Sequence, residues 1–366
     1  MRYRAHNVLE ALAQVGVEGT FATMEEVPAK LSTLLAHDLI VLVRLPFNSL
    51  TAMVIDGVRR LGRPLVFDID DYLFDPWVMP YVEAFRDMSQ AESQRILSEM
   101  GECFQECDFF TGATLYLAER AASLGKSSFA LANGVNATQL QLAHRALEQR
   151  AVRRHDGLTR LGYFSGTRTH QADFRVIYPT LMVLLSECPT ARLTIVGALD
   201  LGEFPGLMLY TDQIEILPLR KWTELPETTA SIDINLIPLE LTPFNEGKSN
   251  LKYFEAGLLK VPSIASPTRI HRDSIVHGHN GFLAGTPQEW HECANELLAN
   301  AERRARMGQN AFEHVLRNYA PLATATEALD VYRQILHIHR AKRAACPSSA
   351  NTLIDSLGLA PHRVAS

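Results

Sequence analysis

The chain is short of several things that would fix its class at once. It has only five cysteines in 366 residues, an odd and irregularly spaced set (103, 107, 188, 293, 346). That excludes a disulfide framework. Cys103 and Cys107 lie one helical turn apart, but no second Cys/His pair at zinc-ligand spacing accompanies them, so they read as small buried thiols. No apolar run approaches the ~20 residues needed to span a bilayer. Net positive charge is lacking too: the formal charge is −6, which speaks against a broad nucleic-acid surface and leaves room only for a local basic pocket. No secretory leader is read at the N-terminus, where "MRYRAHNVLEALAQVG" already has an amphipathic helical pattern. A reducing, cytoplasmic setting with at most peripheral membrane contact is expected.

What the chain does have is apolar material for two cores, 47% hydrophobic residues, and a length suited to two domains. Short apolar runs alternate with helical segments, the pattern of parallel α/β structure. Strands are expected at "DLIVLVR" (38–44), "PLVFDID" (64–70), "DFFTGA" (108–113) and "SFALANG" (128–134). The charged stretch "LQLAHRALEQRAVRRHDG" (140–157) has no strand beside it and marks a junction. The alternation then restarts with strands at "LTRLGYF" (158–164), "ARLTIVG" (191–197), "QIEILP" (213–218), "IDINLIP" (232–238) and "VPSIAS" (261–266). Helices are expected at about 81–106, 171–186, 247–259, 287–299, 301–318 and 322–343. The division is 1–150, 151–320, a C-terminal helix at 321–345 packing back, and a small, polar, poorly ordered tail at 346–366.

In an open parallel sheet, ligands bind outside the carboxyl ends of the strands, so motifs there carry most weight. "NEGKSNLKYFEAGLLKVPSIAS" (245–266) holds the most informative one. Taken as a helix from Gly247 to Leu259, it places Leu251, Phe254 and Leu258 on one stripe and Lys248, Lys252 and Glu255 on another. Lysines in a first turn oppose the helix dipole by about 0.3–1 kcal/mol, unless an anion binds there. Such an anion would meet the amides of Lys248, Ser249 and Asn250, the Lys248 ammonium and the Ser249 hydroxyl. Glu255, deeper, would accept from a ribose diol. The competing reading is a solvated charged face with a Lys252–Glu255 pair.

Elsewhere, "FDIDD" ends a strand with Asp68, Asp70 and Asp71. Three readings stand: capping aspartates at a turn, a carboxylate near an acceptor hydroxyl, or a metal–diphosphate ligand set. "FSGTRTH" (164–170) puts Gly166, Thr167 and Arg168 after a strand, either as a phosphate-facing turn or as an ordinary turn with a surface arginine. His170 could approach the cleft, but a lone histidine is more often structural or exposed. "NG" at 133–134 reads as a plain turn, and "HIHRAKRAA" (337–345) as a basic helix end.

Residues 158–320 resemble the nucleotide-sugar-binding domain of the family-four retaining glycosyltransferases of the GT-B fold. The resemblance runs through "LGYFSGTRTHQADF", "ARLTIVG", "LPLRKWTELPETTASIDINLIPL", "NEGKSNLKYFEAGLLKVPSIAS" and "HGHNGFLA" in order. "RYRAHNVLEAL", "RPLVFDIDDYLFD" and "LANGV" resemble the acceptor domain of the same family. The resemblance implies two Rossmann-like α/β domains facing across a cleft, and transfer of a sugar from a nucleotide diphosphate to an acceptor hydroxyl with retention. It implies Lys248, Asp70, Asp71 and Glu246 as catalytic groups. The donor would be held by Gly166, Thr167, Arg168, Gly247, Ser249, Asn250, Leu251, Lys252 and Glu255. No metal and no cofactor beyond the donor is expected, since lysine and amides do a cation's work. The partners expected are the donor and a glycan, lipid-linked or protein acceptor, with no nucleic acid.

The chain departs from the family twice. The family's Glu-x7-Glu would need a glutamate at 247, where Gly247 stands and Glu246 is one residue off. The family also begins with a strand and glycine turn before the "RYR" helix, so the first sheet is expected to lack that strand or the start to be shortened. Two other readings are kept: a nucleotide-sugar epimerase or hydrolase, and a non-catalytic nucleotide-sugar-binding homologue.

Overall fold

The computed structural model describes residues 1–151, 156–166 and 170–345. Thr167, Arg168 and the tail expected at 346–366 lie outside the described residues. Two parallel sheets form the frame. The first has β1 (Ile40–Val43), β2 (Leu65–Ile69), β3 (Phe109–Gly112) and β4 (Ser127–Ala130), in the order β1-β2-β3-β4. The second has β5 (Thr159–Ser165), β6 (Ala191–Gly197), β7 (Ile214–Leu217), β8 (Ile234–Ile237), β9 (Ser263–Ala265) and β10 (Phe282–Leu283), in the order β10-β9-β8-β5-β6-β7. Helices cover both faces, so β2, β3 and β8 are buried throughout and read as near-continuous apolar runs. The fold is the expected pair of Rossmann-like α/β layers.

The long polar segment at 81–106 divides. Two 3₁₀ turns occupy Pro76–Tyr81 and Glu83–Phe85, and the helix proper is Gln90–Glu106, begun by the Ser89 hydroxyl on the Glu92 amide (3.2 Å). β10 is the strand that sequence pattern missed; its two residues are too few to show a period. The charged junction forms the helix Ala137–Ala151, whose Ala143 and Ala146 pack with Ala230 and Ile232 beside the second sheet. The helix Pro321–Ala345 crosses back: Ala328 packs on Val8, Leu12 and Leu131, and Val331 and Ile335 on Val66 and Phe109. That return needs Gly134, where a Cβ would sit 1.9 Å from the Thr324 hydroxyl. The "NG" pair is therefore a packing site and not a plain turn. No helix among the described residues is long and apolar enough to cross a membrane.

The first described strand is Ile40–Val43; before it come a π-helical turn, Arg2–His6, and the helix Asn7–Ala13. This segment is pinned by a buried ion pair. Arg4 donates through Nε to Asp68 Oδ1 (2.9 Å) and through Nη2 to Asp68 Oδ2 (2.5 Å), with both side chains about 1% exposed. Thr111 Oγ1 also donates to Asp68, and Arg4 reaches Asn133 Oδ1 (3.1 Å). Asn7 bridges Gly134 and Gln139. The first aspartate of "FDIDD" thus belongs to the interior. Removing one partner of a buried ion pair leaves an uncompensated charge and costs about 3–5 kcal/mol. Arg4→Met should lower the unfolding free energy by about that much in urea titrations; a loss under about 1 kcal/mol would show that the pair does not anchor the segment.

Candidate functional site

The order of the second sheet reverses between β5 and β8, and a cleft of about 390 Å³ opens at their carboxyl ends. Ser165 and Gly166 line it from the end of β5, and Leu239 from beyond β8. The first sheet contributes Asp70 and Asp71, at the end of β2, and the N-terminal turn contributes Arg2 and Tyr3.

Of the helix expected over 247–259, only Leu251–Gly257 forms. The helix Pro243–Glu246 starts on the Thr242 hydroxyl, and the helix Leu251–Gly257 follows a break at 247–250. The break has a tertiary cause: Asn250 is buried and donates through Nδ2 to Ser274 Oγ and Tyr319 OH (2.7 Å each), at a non-helical φ of −86° and ψ of 36°. Asn250 therefore does not line the cleft. The Lys248 amide is also spent, donating to the Asn245 carbonyl (3.2 Å). Of the three amides expected to face an anion, that of Lys248 is thus taken, and side-chain cations line the cleft.

Those cations differ in their surroundings. Lys248 Nζ lies 3.3 Å from Asp173 Oδ2. Asp173, buried on the helix Gln171–Glu187, also accepts from Asn245 Nδ2, the Glu240 amide and His170 Nδ1, each at 2.9 Å. Burial alone would raise its carboxyl, but His170, Lys248 and the Glu240 amide overcome this and hold it well below the usual carboxylate range. Lys252 makes no hydrogen bond among the described residues: its ammonium is buried, 5.6 Å from the centre of the Tyr163 ring, and burial pushes it down to about 8 against the pull of Asp173 and Glu255. Arg220 also lines the cleft, with a buried Nε that makes no hydrogen bond among the described residues.

Glu255 lines the cleft as expected, and its hydrogen-bond partner is Tyr3 of the N-terminal turn. The Tyr3 hydroxyl donates to its Oε1, and Gln139 Nε2 donates to the same hydroxyl (3.0 Å). Burial raises the Glu255 carboxyl against the opposing pull of Tyr3, Arg2 and Lys252. The Arg2 guanidinium lies 3.9 Å from Glu255, between the rings of Tyr3 (4.6 Å) and Trp222 (4.7 Å).

The other expected residues divide. Ser249 and Leu251 line the cleft, Ser249 accepting from Asn133 Nδ2 (3.0 Å). Glu246 does not: its carboxylate accepts the Arg269 amide (2.8 Å) at the start of the helix Arg269–Ser274. Gly247 is packed against Tyr72 and Leu117, away from the cleft lining. Asp70 and Asp71 face the cleft and share Arg44, at 3.6 and 2.7 Å. Burial raises the Asp71 carboxyl against Arg44. Among the described residues no group of three or more His, Cys, Asp or Glu side chains converges as a metal cage would. Sequence reading missed Asp173, Arg2, Tyr3, Arg220 and His271. His271, buried on the cleft wall, bonds through Nδ1 to the Ser266 carbonyl (2.9 Å), and burial pushes it down to about 4.

Residues 180–330, under half of the chain, match the model of a glycosyl transferase-like family. No curated protein matches the chain. Among solved structures it is similar to the sucrose-phosphate synthase of Thermosynechococcus elongatus (16% identity, TM-score 0.58, covering 90% of this chain and 92% of that one). It is similar to Anabaena HepE in complex with UDP (16%, 0.57, 84% and 82%) and to the trehalose-6-phosphate synthase OtsA (10%, 0.57, 85% and 75%). At these identities the structures define the fold, which is GT-B. The family match and the fold together support a GT-B glycosyltransferase.

The lone ammonium of Lys252 has a cost in the empty protein. Its folded value, about 8, lies below that of an unfolded lysine, 10.5, so the unfolded chain binds more protons between those values. Stability should therefore rise as pH goes from about 8 toward 10.5, and the full penalty, about 3 kcal/mol, applies below pH 8. Lys252→Met should remove that rise and leave the protein at least as stable as wild type at pH 7. Urea titrations at pH 7, 8.5 and 10 check this; a clear destabilisation at pH 7 would mean the ammonium has a partner.

Proposed function

We propose that the protein transfers a sugar from a nucleotide diphosphate donor to an acceptor hydroxyl, with retention of anomeric configuration and without a metal. The observation that carries this reading is the paired Lys248 and the pairless Lys252 at the crevice where the strand order reverses. A buried ammonium without a partner calls for an anion. The expected nucleotide contact, Glu255, lies on the same helix as Lys252. HepE, similar in fold, has been solved with UDP and with UDP-glucose, which supports a nucleotide sugar as the ligand here.

The leaving diphosphate would lie against Lys248 and Lys252, whose fixed charges meet the charge that develops as the sugar–oxygen bond breaks. Glu255 would take the ribose diol, with the Tyr3 hydroxyl sharing or yielding its place. Asp70 or Asp71, across the cleft, would sit by the acceptor hydroxyl. The acceptor is a glycan, a lipid-linked glycan or a protein, met in the cytoplasm or at the membrane surface.

Binding of UDP, GDP, ADP and dTDP, measured by calorimetry in EDTA, tests the reading. One of them should bind. A charge-assisted hydrogen bond contributes about 1.5–3 kcal/mol, so Lys248→Ala and Lys252→Met should each weaken binding about 10- to 100-fold. Binding that needs manganese, or that ignores both lysines, would move the diphosphate elsewhere. Failure of all four to bind would remove the donor reading. Nucleotide release that needs no acceptor would replace transfer by hydrolysis or epimerisation.

A further inference from the structure

His170 is not the lone histidine its sequence context suggests. Its side chain is 16% exposed and lines the cleft, and Nδ1 lies 2.9 Å from Asp173 Oδ2. Asp173 accepts at both oxygens, so Nδ1 carries the proton and Nε2 is the nitrogen left for the cleft. Among the described residues Nε2 has no hydrogen-bond partner. The same Asp173 oxygen lies 3.3 Å from Lys248 Nζ, so one carboxylate orients two side chains toward the place given to the diphosphate. Asp173 is itself fixed by Asn245 and the Glu240 amide.

We propose that His170 is a phosphate contact that takes up a proton when the donor binds, with Asp173 as the residue that positions it and supports its charge. This rests on the diphosphate reading above. In the empty cleft, burial lowers His170, the nearby Lys252 and Lys248 add to this and Asp173 opposes it, which favours the neutral ring. The other charged groups lining the cleft are Arg2, Arg220 and Glu255 from its far side and Asp70 and Asp71 from the first sheet. An arriving diphosphate offsets the two lysines. A neutral Nε2 would face phosphate oxygen lone pair to lone pair, whereas an imidazolium donates a charge-assisted hydrogen bond. The proton comes from solvent; no covalent bond changes in this step. Lys248 and Lys252 supply fixed charge, and His170 supplies charge that appears only with the ligand.

The test is calorimetric, on the full chain, with whichever of UDP, GDP, ADP and dTDP binds most tightly. Binding enthalpies at pH 7.0 in three buffers of different protonation enthalpy give the number of protons taken up. At pH 7 Lys252, near 8, is already about nine-tenths protonated and contributes little. Wild type should take up close to one proton more than His170→Gln, which should bind about tenfold more weakly. Asp173→Asn, which keeps an acceptor for Nδ1 but not its charge, should lower the uptake toward the His170→Gln value. Equal proton uptake by wild type and His170→Gln, or by a second replacement, His170→Asn, would overturn the proposal and leave the donor reading standing. If no nucleoside diphosphate binds wild type, the donor reading itself falls and this proposal with it.

Discussion

Positive charge held out of water governs the cleft. Lys248, Lys252 and Arg220 come together where two strands of one sheet part, and the buried carboxylate facing them, Asp173, is shared by Lys248 and His170. An ammonium in a low-dielectric site is unfavourable by several kcal/mol unless it is paired. The fold places Lys252 there nonetheless, against a tyrosine ring that offers only its face. Charge of that kind is a reason to expect a ligand, because a ligand is the simplest thing that completes it. The uncrossed, sequential first sheet has no such reversal, and its cleft-facing charges are the two aspartates held by Arg44.

The second dependence runs through the N-terminus. The Arg4–Asp68 pair fixes the π-helical turn to the end of the first sheet, and so delivers Arg2 and Tyr3 to Glu255 and Trp222 beside the second. The Arg269–Glu119 ion pair, the Glu83 carboxylate on the Ala172 amide and Asn133 on Ser249 are further links between the two halves. A nucleotide that took Glu255 would compete with Tyr3. On the proposed reading, donor entry and the seating of the two halves would be coupled through one hydroxyl.

The strands were legible in the sequence because each is buried on both faces and reads as a short apolar run between turns. The GT-B architecture followed from their alternation and from the resemblance in the second half. Lys248, Ser249, Leu251, Lys252, Glu255, Asp70, Asp71 and Gly166 were legible by position, and all line the cleft. What was illegible depends on partners far along the chain. Asn250 looks helical by periodicity; Tyr319, sixty-nine residues away, takes its side chain and breaks the helix. That break retires Gly247 and Asn250 from the cleft, and Glu246 instead holds the start of another helix. Asp173 reads as an ordinary first-turn acid, since Lys248 is 75 residues distant. Asp68 looked like one of three strand-end aspartates until Arg4, near the other end of the domain, claimed it.

On the proposed reading, the contrast between the two lysines would bear on catalysis and not only on binding. Donor binding rewards any cation near the diphosphate, but the reaction is accelerated only by contacts that strengthen as the leaving group gains charge. Lys248 divides its attraction with Asp173, so part of its charge is already answered in the empty protein. Lys252 makes no hydrogen bond among the described residues: burial disfavours its charged form against the weaker pull of Asp173 and Glu255, and its attraction to a bound anion would grow with that anion's charge in a medium that screens little. The leaving diphosphate is more negative than the bound donor by one charge. Of the two, on the proposed reading, Lys252 is the one whose contribution would be weighted toward the transition state, while Lys248, held in place by Asp173, would set where the phosphates lie.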